Sequence, residues 1–111
     1  MDDTIKKYLF DILMSISRIE TFVGSPKIFE NYEQNQMLQN AVERNFEIIG
    51  EAMNKILQLN PNFPIDNARR IVDLRNKIIH GYDSIESVHI WAVIINYLPN
   101  LKIEVDNLLN E

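Results

Sequence analysis

The chain has 111 residues, with 11 Lys and Arg against 16 Asp and Glu for a net charge of −5, so it offers no overall basic surface for holding nucleic acid non-specifically. An apolar fraction of 46% is that of a globular protein rather than a disordered one, and a chain this size makes one domain, 1–111. With no cysteine there is no disulfide framework and no thiolate metal site, and two histidines, His80 and His89, argue against a zinc centre.

The N-terminal MDDTIKKYLFDIL carries two acids and no long apolar run, unlike a signal peptide. No stretch approaches the roughly 18–20 apolar residues that span a bilayer, so a cytoplasmic protein is expected. In the first helix Ile5, Leu9, Ile12, Ile16, Ile19 and Val23 recur in steps of four and three, one apolar stripe. Asp2 and Asp3 favour its start through the helix dipole, and Gly24 follows its last periodic residue as a left-handed cap. Ser25 and Pro26 read as the N-cap and first position of a second helix over 26–59. Its stripe is Leu38, Val42, Ile49, Ala52, Ile56 and Leu59, with Asn45 in one apolar slot.

NPNFP at 60–64 breaks that helix with two prolines. Asp66 caps a third helix carrying Ala68, Ile71, Val72, Ile78 and Ile79, which Gly81 stops. Ser84 caps a fourth, holding Ile85, Val88, Trp91, Ile94, Ile95 and Leu98. Pro99 marks a boundary or kink, after which Leu101, Ile103, Val105, Leu108 and Leu109 form a last helix. No strand-like alternation, repeat or glycine-rich phosphate loop is present. The pattern predicts an all-α fold, an antiparallel bundle of four to five helices. Small domains bury a limited share of their surface, so pairing with a second subunit is expected to cover a remaining apolar face.

Residues 75–83, RNKIIHGYD, gather Arg75, His80 and Tyr82 around one glycine. Between 69 and 80 stand four cations (Arg69, Arg70, Arg75, Lys77) and one acid, Asp73, a weak local positive patch. Five positions on a helix separate Arg75 and His80 by about 140°, poor geometry for joint action. Gly81 lets the chain leave the helix just after His80. The imidazole could then swing toward the guanidinium, or the two could converge across a subunit interface. The bland alternatives are a C-terminal histidine suited to the helix dipole, an arginine paired with Asp73 or an acid on a neighbouring helix, and a tyrosine at the core edge.

The string R-x-x-x-x-H-x-Y, filled by Arg75, Asn76, Lys77, Ile78, Ile79, His80, Gly81 and Tyr82, resembles the signature of HEPN-domain ribonuclease toxins, and more narrowly the HepT-like family. The resemblance extends to AVERNFEIIGEAMNKI at 41–56 and YLPNL at 97–101, covering residues 38–109. It implies a HEPN-like bundle paired as a C2 homodimer. The implied activity is a metal-independent endoribonuclease cleaving single-stranded RNA, with no cofactor. RNA brings its own nucleophile, the 2′-hydroxyl, so the protein moves protons and stabilises charge. In that scheme His80 transfers protons and Arg75 stabilises the phosphorane. Asn76 orients the histidine or a phosphate oxygen, and Lys77 holds the backbone. One motif supplies one histidine where a base and an acid are wanted, and a dimer bringing two motifs into one cleft resolves this.

The same resemblance implies a type VII-like toxin–antitoxin system. A cognate minimal nucleotidyltransferase antitoxin would add AMP to Tyr82, placing phosphate and bulk beside Arg75 and His80. Arg44, Ile48 and Glu51 share one face of the second helix; Arg44 and Glu51 are read as packing under the active helix, with Arg44 a candidate RNA contact. Two rival readings use the same residues: a non-catalytic substrate of the nucleotidyltransferase, for which His80 is dispensable, and a structural dimer with Arg75 paired and buried.

Overall fold

Ile5, Leu9, Ile12, Ile16 and Ile19 are all buried in one stripe of helix α1 (Asp3–Val23), as their spacing requires. A computed structural model describes residues 1–81 and 85–111; the expected roles of Tyr82 and Ser84 lie outside the described residues. Asp2 caps α1, its carboxylate accepting the Thr4 N–H at 2.6 Å. Gly24 ends the helix at φ 76°, a backbone conformation that disfavours other residues.

The expected helix over 26–59 is two helices. Pro26 does not begin one: α2 (Phe29–Glu33) is a short turn preceded by Ile28, and α3 (Gln36–Leu59) begins after Asn35, whose side chain accepts the Leu38 N–H at 3.0 Å. Asn35 therefore supplies the cap that Ser25 was expected to give. Along α3, Val42, Asn45, Phe46, Ile49, Ala52, Met53 and Ile56 are buried, whereas Leu59 is exposed at the helix end.

The breaker segment adds to the core, because Phe63 and Ile65 are buried beneath it. Helix α4 (Ala68–His80) starts one residue later than expected, after Asn67 at φ 59°, not after Asp66. Gly81 stops it in the left-handed region, its N–H bonded to the Lys77 carbonyl. Only Ala68, Ile71 and Val72 of α4 are buried, and Ile79 is exposed. Helix α5 (Ser87–Asn96) meets α6 (Leu98–Leu109) at Tyr97, with Pro99 in the first turn of α6.

Among the described residues the fold is a six-helix all-α bundle without strands. Helices α1 and α3 form its centre; α6 packs on α1, α5 on α6, and α2 bridges α3 to α5. A Lys102–Glu20 ion pair of 2.9 Å joins α6 to α1. Helix α4 packs chiefly on α3. The molecule measures 42 × 32 × 19 Å, a slab about two helices thick. No helix among the described residues is long and apolar enough to cross a membrane.

Candidate active site

The end of α5 is tied to the start of α4. The Tyr97 hydroxyl donates to the Asp66 carbonyl at 3.1 Å, and the Asp66 N–H donates to a Glu104 carboxylate oxygen, also at 3.1 Å. The other ends of α4 and α5 are joined by the short connection from Gly81 to Glu86. The two helices therefore run in opposite directions as a hairpin, and between them lies a half-open cleft of about 1290 Å³. Tyr97, Asp66 and Glu104 line its pinned end; Lys77, His80, Glu86 and His89 line the end near the connection.

Burial and the carboxylates of Glu104 and Asp66 push the Tyr97 phenol up to about 12, above its ordinary value of about 10. The fold favours the neutral phenol, so this contribution to stability is complete below about pH 10 and is lost as pH rises through about 12. Tyr97→Phe is therefore expected to flatten the alkaline limb of a stability profile followed by circular dichroism. Burial raises the Tyr32 phenol in the same direction, so some alkaline loss persists in the variant.

Of the motif residues, Asn76, Lys77 and His80 line the cleft. Arg75 is not among the lining residues; it faces α3. Its Nη2 donates to Glu51 at 3.3 Å and its Nη1 to the Asn76 side-chain oxygen at 2.9 Å. A quarter of the Arg75 side chain is exposed, and its Nε is buried with no hydrogen-bond partner among the described residues. The acid on a neighbouring helix is thus Glu51 rather than Asp73. Asn76 links the two sides, touching the guanidinium while lining the cleft.

Arg75 lies this close to α3 because position 50 is glycine. A Cβ there would collide with the Arg75 Cβ and stand 2.8 Å from its Cγ and 3.0 Å from the Ile71 carbonyl oxygen. Gly50 is a residue the sequence reading passed over, although a glycine within a strongly periodic helix is itself a signal of close approach. His89 was passed over too, having been weighed only as a metal ligand. Arg44, Ile48 and Glu51 do share one face, in a shallow groove between α1 and α3, but only Glu51 meets α4, through Arg75; Arg44, expected to pack under that helix, is largely exposed and pairs with Glu47 at 3.4 Å.

The family described as Ribonuclease HepT-like matches residues 12–108. Among curated proteins, the chain is 34% identical to "Probable ribonuclease HepT" of Thermococcus cleftensis, over 93% of this chain and 94% of that protein. It is 33% identical to "Putative RNase MJ1380" of Methanocaldococcus jannaschii, over 92% and 94% respectively, and 28% identical to "Putative RNase MJ1216" of the same organism, over 96% and 88%. No solved structure matches. A match across nearly the whole bundle, including the α4–α5 hairpin and its cleft, makes the chain a member of the HepT-like ribonuclease family.

Proposed function

We propose that the protein is a metal-independent endoribonuclease cutting single-stranded RNA at the α4–α5 cleft, and that it is the toxin of a HEPN/nucleotidyltransferase pair. The observation that carries the reading is the placement of His80, Lys77 and Asn76 together in a cleft of about 1290 Å³. Lys77 attracts the phosphate backbone, and His80 moves protons at the scissile phosphate. Asn76, bonded to Arg75, couples the guanidinium to that site. Arg75 itself faces α3, its fork shared between Glu51 and Asn76, so it acts on the cleft through the Asn76 side chain that it holds.

A second copy of the chain covers the open side. Ile79 on α4, Val88 and Ile95 on α5, and Ile103 on α6 are exposed although apolar, surface that a second copy would bury. Tyr82, two residues beyond His80, is the proposed acceptor for AMP from the antitoxin. Added so close in sequence to His80, its phosphate is negative charge that opposes RNA binding.

The test is growth on induced expression without a partner, comparing wild type, His80→Ala and Tyr82→Phe at matched levels. Arrest by wild type and Tyr82→Phe, relieved in His80→Ala, is the expected result. Coexpressed nucleotidyltransferase should then rescue wild type but not Tyr82→Phe. Absence of arrest by wild type shown by intact mass to be unmodified counts against the toxin and favours a non-catalytic substrate of the transferase.

A further inference from the structure

We infer that Arg70 is a second backbone contact for the substrate, so that single-stranded RNA lies lengthwise along the α4 wall of the cleft, from His80 toward the pinned end. This rests on the ribonuclease reading above and adds to it the extent and direction of the bound strand. Arg70 and Lys77 both line the cleft, and both are exposed. Neither side chain takes part in a hydrogen bond or ion pair among the described residues. Seven positions apart on α4, they lie on nearly one face, because two turns take about 7.2 residues. The spacing covers roughly 10 Å of helix, about three nucleotides at ~3.4 Å for each in a stacked strand.

The opposite wall suits the other half of a nucleotide. Asn96, the last residue of α5, and Asn100, in the first turn of α6, line the cleft. Their side chains likewise have no hydrogen-bond partner among the described residues. A free amide offers donors and an acceptor together, which matches the edges of unpaired bases. Phosphates therefore follow the α4 wall while bases turn toward the amides.

Charge decides how much one arginine weighs. Arg70 and Lys77 share the cleft with four acids, Asp66, Asp73, Glu86 and Glu104. A polyanion is not drawn in by that balance as a whole, so it is held by the particular cations that meet its phosphates. Losing one of the two is not made up by neighbours. Each copy in a homodimer carries this wall once, so the track is the same whether one chain or two complete the chemistry.

The experiment compares wild type, Arg70→Gln, Arg70→Lys and Arg69→Gln on an RNA with one mapped cleavage site, shortened stepwise from each end, at several salt concentrations. Circular dichroism and sedimentation first check helicity and self-association. Arg69 is exposed but does not line the cleft, so Arg69→Gln removes the same charge beside the track and should follow wild type. Arg70→Gln should raise KM about tenfold with kcat little changed, the weight of one hydrogen bond to a charged group. It should also flatten log kcat/KM against log salt by about 0.7, the share of one phosphate, and Arg70→Lys should keep the wild-type slope. Trimming one side of the cut to fewer than about three nucleotides should erase the difference between Arg70→Gln and wild type. No loss in Arg70→Gln, an equal loss in Arg69→Gln, or a loss that persists in the shortest RNA overturns the track and leaves the ribonuclease standing. So does a loss that disappears when raised protein concentration restores self-association. No cleavage by wild type removes both.

Discussion

Arg75→Ala is expected to lower kcat/KM for single-stranded RNA by about 10², because Asn76, which lines the cleft, loses the guanidinium bonded to its side chain and a misplacement of about 1 Å in a site costs about that much. Its melting temperature should fall by only a few degrees. The ion pair it gives up, with Glu51, has a partner more than half exposed, and such pairs contribute under about 1 kcal/mol. The alanine also keeps the Cβ that rests on Gly50. Arg75→Lys keeps the charge but loses the fork that spans Glu51 and Asn76, so it should recover only part of the rate. Activity and thermal melts measured on the same preparations decide between a site and a strut. Unfolding of Arg75→Ala in proportion to its lost activity would return the residue to the structural-dimer reading.

Gly50 carries the second large effect. Replacing a mid-helix glycine with alanine ordinarily stabilises by up to about 1 kcal/mol. Here the new methyl overlaps the Arg75 Cβ and crowds the Ile71 carbonyl, so α3 and α4 must part. Overpacking of that kind costs about 1–3 kcal/mol, and the clash involves backbone and a Cβ rather than a flexible tip. Gly50→Ala should therefore lower the melting temperature, and Gly50→Val should lower it further, each 1 kcal/mol corresponding to about 4–8 °C in a domain near 100 residues. Adding Arg75→Ala should not restore Gly50→Ala, because the offending Cβ remains. A Gly50→Ala protein more stable than wild type, in thermal or denaturant melts, would show that the helices have room to spare.

The two effects mark where sequence reasoning reached and where it stopped. The stripe of α1 was legible because one face of that helix meets the core along its whole length. Ile79 and Ile103, counted as core from their apolar character, are exposed, since a helical period does not reveal that a face lacks a neighbour. The Ser25–Pro26 cap failed because Asn35 offers a side-chain acceptor directly ahead of the long apolar stripe. Within the motif, spacing along α4 correctly separated Arg75 from His80 but could not say that Arg75 turns to α3, which depends on Glu51, 24 residues earlier. His89 escaped notice for the same reason. Its relation to His80 arises from the antiparallel return of α5, fixed by the distant contact between Tyr97 and Asp66.

That contact has a mechanical consequence. Helix α4 rests on α3 along its length as well as on the Asp66 anchorage, and because it carries His80 at its tip, any tilt of it is magnified there. At 1.5 Å per residue the arm is roughly 20 Å, so a tilt of about 3° carries the imidazole through about 1 Å. Displacements of that size can cost a factor of about 10² in rate. The Asp66 anchorage and the packing on α3 thus govern the aim of His80 together, and small changes there are amplified along the helix before they reach the phosphate.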